Sequence, residues 1–226
     1  MGFYRGPNIV TDGLLLAYDA GSERSYSGSG TTASNIIDSS TGTLVNGVAF
    51  NSANGGYWEF DGTDDYISIA NANSPQFTAN QSFTISYTLK LNSITGGFWA
   101  PVMKGGFGQS YGHLILNDDL LVYTDTDSSP EYTFNNVFTN DANKWVFITQ
   151  TYDGNRIYLY RNGELFGQSG TGIGFTTSTA TLYFGSHNST GYYLDGSMAT
   201  VKMYNKALSA AEVLQNFNAQ KSRFGL

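Results

Sequence analysis

In SFTISYTLKL, residues 82–91, Phe83, Ile85, Tyr87, Leu89 and Leu91 alternate with Thr84, Ser86, Thr88 and Lys90. A period of two predicts a strand with one core face and one polar face. WVFITQTYDGNRIYLYRNGELFG reads as three strands and two turns: Val146–Tyr152 into Asp153-Gly154, Ile157–Tyr160 into Asn162-Gly163, then a short return. Further strands are predicted at Leu14–Tyr18, Leu44–Phe50, Tyr57–Phe60, Tyr66–Ala70, Phe98–Met103, His113–Leu116, Leu120–Tyr123, Thr181–Phe184 and Thr200–Tyr204. Asp12-Gly13, Asn46-Gly47, Asn54-Gly55, Asp61-Gly62 and Asp195-Gly196 supply further residues that tolerate positive φ, as tight hairpin turns require. Short strands at close spacing with polar turns predict an antiparallel sandwich or barrel.

One helix is predicted, near the end. In SAAEVLQNFNAQ, Ser209 and Glu212 have the spacing of a capping box, and Ala210, Val213, Leu214 and Phe217 form an apolar stripe. Ser22–Thr43 is a polar loop. No composition break divides the chain. The expected organisation is an arm at 1–13, one domain at 14–219 and a tail at 220–226.

Composition narrows the function classes. Of 226 residues, 13% are charged, and the formal net charge is −7. A duplex-binding protein needs a basic footprint, and an acidic surface is repelled by anionic lipid, so neither nucleic acid nor membrane is an expected partner. Without cysteine there is no disulfide framework, thiolate metal site or cysteine nucleophile. The opening MGFYRGPNIVTDGLLLAYDA lacks the h-region of a signal peptide, and no run is long and apolar enough to span a bilayer.

Candidate chemistry lies in turns and strand ends. FDGTDDYISI, residues 60–69, holds three aspartates. Asp61 suits a turn whose amides it caps. Asp64 and Asp65 repel each other unless solvated or bridged by a cation such as Ca2+, which takes six to eight oxygen ligands. A second acidic set, Asp125, Asp127 and Glu131, lies in YTDTDSSPE. A tight Ca2+ site on Asp64, Asp65, Asp125 and Asp127 and a solvated acidic loop both fit this pattern. His113 and His187 have no second ligand at zinc spacing, and there is no Gly-x-Ser-x-Gly elbow. His113 is expected as a half-exposed sheet residue. GGFGQSYG lacks the Gly-Lys-Ser/Thr of a P-loop and reads as a hairpin loop. Sugar binding needs flat aromatic faces beside hydrogen-bonding groups. Trp99, Tyr111, His113, Tyr123, Asn188, Tyr192 and Tyr193 are the candidates, with Asp125 and Asp127 beside them. Core packing is the competing role for every ring, and Trp58 and Trp145 are assigned to the core.

GLLLAYDA, FDGTDDYISI, WVFITQTYDGNRIYLYRNG, LYFGS and LDGSMATVKMYNKALSAAEV, in that order, resemble the laminin-G-like, concanavalin A-like lectin/glucanase superfamily. GPNIVTDGL and FNAQKSRFGL are similar to members of that superfamily in tailed-phage virion proteins. The resemblance implies an all-β jelly-roll of two antiparallel sheets, with the Trp145 strand at a sheet centre and one short C-terminal helix. It also implies a rim calcium held by loop aspartates. A second family calcium ligand is missing, because Ala199 and Thr200 stand where relatives carry Asp-Glu. The glucanase branch uses Glu-x-Asp-x-x-Glu, whereas Glu59, Asp61 and Asp64 end in Asp. The function expected on this basis is non-enzymatic. It is a multicopy or homo-oligomeric module on a bacteriophage virion surface (capsid decoration, neck or tail fibre) that contacts other virion proteins and binds cell-surface polysaccharide. A purely structural assembly role and a glucanase are the alternatives.

Overall fold

The computed structural model describes residues 7–106, 111–124 and 129–226. Among these run sixteen strands: β1 (Leu14–Asp19), β2 (Thr32–Ser34), β3 (Thr41–Val45), β4 (Ala49–Asn51), β5 (Tyr57–Asp61), β6 (Tyr66–Ile69), β7 (Phe83–Leu91), β8 (Phe98–Lys104), β9 (Gly112–Leu116), β10 (Asp119–Tyr123), β11 (Tyr132–Phe134), β12 (Trp145–Tyr152), β13 (Ile157–Arg161), β14 (Glu164–Gln168), β15 (Leu182–Phe184) and β16 (Asp195–Tyr204). Helix α1 (Ala210–Asn218) and the single turn α2 (Lys221–Phe224) follow.

The first sheet runs β14-β13-β12-β7-β16-β5-β4, and β1 shares the edge of β16 with β5. Asp195–Met198 pairs with β5 and Thr200–Tyr204 pairs with β1. The changeover falls at Ala199, where the register shifts and the carbonyl accepts Ala20 N–H at 3.0 Å. The second sheet runs β11-β10-β9-β8-β15-β6-β3-β2. All pairings are antiparallel, so each strand contributes alternate side chains to one interior. Trp58, Phe83, Ile85, Leu89, Ile148 and Val201 of the first sheet meet Ile67, Val102, Ile115, Leu120 and Phe184 of the second. Burying each such side chain contributes about 1.5–3 kcal/mol.

Several expectations change. The run Leu44–Phe50 is two strands, β3 and β4, in different sheets, because Asn46 (φ 64°) and Gly47 (φ 120°) turn the chain between them. The polar stretch 22–43 contains β2 and the start of β3. Asp195-Gly196 is no turn: it opens β16, and a Cβ on Gly196 would lie 2.3 Å from the Lys90 carbonyl oxygen, so glycine permits close strand approach there.

Most of the polar face of β7 does not meet water, Lys90 alone being partly exposed. Thr84, Ser86 and Thr88 are buried. Ser86 pairs with Thr149 at 2.9 Å and Thr88 with Thr200 at 3.2 Å, while Thr84 binds Lys206 O at 2.7 Å and Leu208 N at 3.0 Å. Hydroxyls that satisfy one another can be covered, and α1 covers part of this face. The helix forms as expected: Ser209 caps it and Glu212 returns the bond. Its buried positions, however, are Val213 and Asn216, while Ala210 and Leu214 face solvent. Asn216 accepts from Val10 N at 2.8 Å and donates to Tyr204 Oη at 3.0 Å.

The described residues of the expected arm and tail make contacts with the body. Gln215 holds Asn8 O at 2.7 Å, and Tyr204 donates to Val10 O at 3.2 Å. Within 220–226, Phe224 is buried beside Tyr57, Trp145 and Ala199. Arg223 pairs with Asp19 at 2.8 Å and donates to the carbonyls of Asn54 and Gly56.

Candidate functional site: an aromatic outer face and an acidic turn

Strand parity sends Ile67, Leu182, Phe184, Val102, Ile115 and Val122 inward, so their neighbours face out of the second sheet. Register sets Thr43, Ser68, Tyr183, Met103, Gly112 and Tyr123 in one row across six strands. Met103, Leu114, Leu121 and Tyr123 pack together on this face and are buried there. At its margin Phe98 is 43% exposed and Tyr192 38% exposed, with ring centroids 5.4 Å apart. His187 meets the Tyr192 ring edge-on at 5.3 Å.

The segment 185–194 that presents Tyr192 is bonded to its surroundings at both ends. Gly185 N donates to Pro101 O at 3.0 Å, Ala100 N to Tyr192 O at 2.8 Å, and His187 N to Gly191 O at 3.0 Å. Asn188, Ser189 and Tyr192 take φ of 51°, 63° and 51°. This conformation is uncommon for a tyrosine, and such strain persists where the surroundings over-determine it. Thr190 donates to Asn188 Oδ1. Next to this group Tyr193 stacks on Tyr66 at 6.5 Å and donates to Ser189 O at 2.9 Å, and Tyr66 meets Tyr183 edge-on. Burial, then Tyr66, then the Asp64 carboxylate push the Tyr193 phenol up. Burial and Tyr192 push Tyr123 up to about 12, and burial lowers His187, which is neutral at pH 7.

The structure places Asn188 and Tyr192 on one turn with Tyr193 alongside; Tyr123 lies near Tyr192 but is only 5% exposed, packed with Met103, Leu114 and Leu121. It separates the other three aromatic candidates from them. Trp99 is buried in the inter-sheet core. Tyr111 packs among Phe77, Phe83 and Phe175 and donates to Pro75 O at 3.2 Å. His113 is wholly buried rather than half-exposed: Nδ1 meets Tyr87 Oη at 2.9 Å and Nε2 meets Gln150 Oε1, so it ties the sheets together. Burial, partly opposed by the Gln150 bond, lowers its pKa to about 4. No face of these three rings is left for a ligand. Phe98, Tyr66 and Tyr183 were not singled out from sequence. Their outward parity was the available signal, but it depends on knowing which face of the sheet is covered.

In the acidic turn, ligand atoms of Asp61, Asp64 and Asp65 lie within 4.8 Å of one another. Asp61 Oδ1 caps the turn as expected, accepting from Thr63 N at 2.8 Å and Asp64 N at 3.4 Å. Asp65 Oδ2 accepts from Asp61 N at 3.2 Å, but Oδ1 is buried without a partner. Burial, then the charge of Asp61, push Asp65 up. No ion pair among the described residues reaches this cluster. A cleft of about 310 Å³ lined by Asn46, Gly47, Ala49, Glu59, Phe60, Asp61 and Asp65 adjoins it. An orphaned buried carboxylate oxygen beside two more carboxylates suits a hard cation, and Asp61, Asp64 and Asp65 would hold it. Asp125 and Asp127 lie outside the described residues. At the altered family position, Ala199 packs with Tyr57, Trp145 and Phe224, and Lys90 Nζ lies 5.1 Å from the Tyr57 ring centroid. Glu59 ends in a different setting from Asp64: it lies within β5 and accepts from Asn51 at 3.2 Å, whereas Asp64 lies in the turn beyond.

Two face-packed antiparallel sheets with a short C-terminal helix define a lectin-like jelly-roll. Residues 61–214 match the family described as the concanavalin A-like lectin/glucanases superfamily, and the chain belongs to it. No curated protein matches the sequence. Among solved structures, the binding domain of botulinum neurotoxin serotype D is similar at TM-score 0.72 and 13% identity, covering 92% of this chain and 52% of that one. The serotype G binding domain is similar at 0.70 and 16%, covering 92% and 51%. A Trypanosoma rangeli sialidase in complex with 2,3-difluorosialic acid is similar at 0.65 and 17%, covering 96% and 35%. The chain thus spans about half of the toxin domains and about a third of the sialidase. At these identities the likeness is one of fold.

Proposed function

We propose that the chain is a non-catalytic carbohydrate-binding module and that the outer face of its second sheet holds the sugar. The observation that carries this reading is the exposed Phe98–Tyr192 pair, held at the margin of the Tyr183–Met103–Tyr123 row by a strained, hydrogen-bonded turn. Aromatic faces take the C–H side of a pyranose, while the Asn188 amide and the tyrosine hydroxyls bind its hydroxyl groups. A sialidase solved with a sialic acid analogue among the fold's neighbours supports a sugar as ligand class.

The resemblance of GPNIVTDGL and FNAQKSRFGL to tailed-phage proteins supports a place on the virion surface, beside other virion proteins. There, many copies of a weak site would raise avidity by orders of magnitude. Asp61, Asp64 and Asp65 would hold Ca2+ and steady the turn beside Tyr193. A glycan array with and without calcium tests the reading. Wild-type protein should give a selective signal that Tyr192→Ala and Phe98→Ala each lower at least tenfold. A flat array in both conditions would leave assembly as the better account.

A further inference from the structure

The outer face of the first sheet is not wholly closed. A cleft of about 660 Å³ remains between the 22–40 segment on one side and Ile9, Thr11 and the α1–α2 junction on the other. Its apolar wall is Ile9, Leu14, Ala17, Ile36 and Ile37, with Ile37 48% exposed. Lys202 also lines it, from β16 beside Ala17, and is only 5% exposed. Lys202 Nζ donates to Gln220 Oε1 at 2.9 Å, and no carboxylate among the described residues reaches it as an ion pair.

The other charges in the cleft leave Lys202 uncompensated. Asp19 is engaged by Arg223 at 2.8 Å and by Gly21 N at 2.9 Å. Arg223 is committed to Asp19 and to two backbone carbonyls. Arg24 uses one nitrogen on Ile36 O at 2.9 Å. In a chain of net charge −7, this cleft concentrates positive charge beside aliphatic surface. A desolvated ammonium whose nearest bond is to a neutral amide gains most from an anion, because charge-assisted hydrogen bonds strengthen away from water. Burial lowers the Lys202 pKa to about 8, Asp19 opposing this and Arg223 adding to it.

We propose that this cleft binds a small amphiphilic carboxylate, its head on Lys202 and Arg24 and its aliphatic chain along Ile9, Leu14, Ile36 and Ile37. The volume lies within the range of small-molecule sites. Branched aliphatic walls without an exposed ring favour an alkyl chain over a sugar.

The test titrates the full chain at pH 7 with octanoate, octanol and acetate, read by calorimetry and by methyl NMR of Ile9, Ile36 and Ile37. Octanoate should saturate, shift those methyls and bind at least tenfold more tightly than octanol, while acetate should not bind. Lys202→Met should weaken octanoate at least tenfold. Ile37→Asp, at an exposed position that leaves the fold intact, should do the same and serves if Lys202→Met does not fold. Octanol binding as tightly as octanoate, no saturable shift at the three isoleucines, or full binding by Ile37→Asp would each overturn the proposal.

Discussion

The two sheets share one interior, yet their outer faces are finished in opposite ways. On the first sheet, hydroxyl pairs between β7, β12 and β16 satisfy one another, and Val213, Asn216 and Phe217 close over part of the surface. On the second sheet, outward Tyr66, Tyr183, Phe98 and Tyr192 remain partly in solvent and are held by a turn with left-handed residues. Both faces are rich in groups that hydrogen-bond. Their partners differ: one face pairs its polar groups with one another, while the other leaves the Phe98 and Tyr192 rings partly in solvent. Polar side chains on a strand therefore do not by themselves mark the solvent side.

The largest test of this contrast places a charge under the helical cover. Val213→Asp buries an unpaired carboxylate and should lower stability by roughly 4 kcal/mol or more, measured by urea unfolding. The layer between the faces can be broken by pH. His113 is held neutral with a pKa of about 4, while the unfolded chain takes up that proton near 6.5. The unfolded state then binds the extra proton, so this contribution is complete above pH 6.5 and is lost as pH falls toward 4. It amounts to roughly 3 kcal/mol in the urea-derived stability. His113→Gln should flatten that slope.

A matched pair of amides sharpens the comparison. Asn216→Ala removes two buried hydrogen bonds and should destabilise by about 2 kcal/mol, whereas Asn188→Gly on the open face, which keeps the left-handed backbone, should change stability by under about 0.5 kcal/mol. The smallest effect lies at Tyr192. With φ of 51°, Tyr192→Gly relieves backbone strain and should raise the urea-derived stability slightly, by a few tenths of a kcal/mol, while binding is lost. A Tyr192→Gly protein that still binds glycan would separate the strain from the site.

Most of the fold was legible because it rests on local signals. Alternation marked the strand Phe83–Leu91, Asn162-Gly163 marked a two-residue hairpin, and Ser209 with Glu212 marked the helix start. Asp61 was readable as a turn cap for the same reason. The site was legible only in part. Tyr192 and Tyr123 share a face, but Tyr111 and His113, two residues apart, both point inward, and only the pairing of β9 between β8 and β10 decides that. Leu44–Phe50 was misread as one strand because both halves are apolar, and the Asn46-Gly47 turn that splits them sends each to a different sheet. The helix stripe shifted because Asn216, a polar residue, finds two buried partners far away in sequence.

The edge shared by β1 and β5 along β16 has a consequence for how the chain is made. Leu14 stands opposite Tyr204, so β1 gains its partner only after the chain between them has been made. Closure over so long a loop is slow, and until then β1 is an open apolar edge that another chain could capture. Deleting β16 would therefore leave β1 without its partner and part β7 from β5, opening the first sheet at both places.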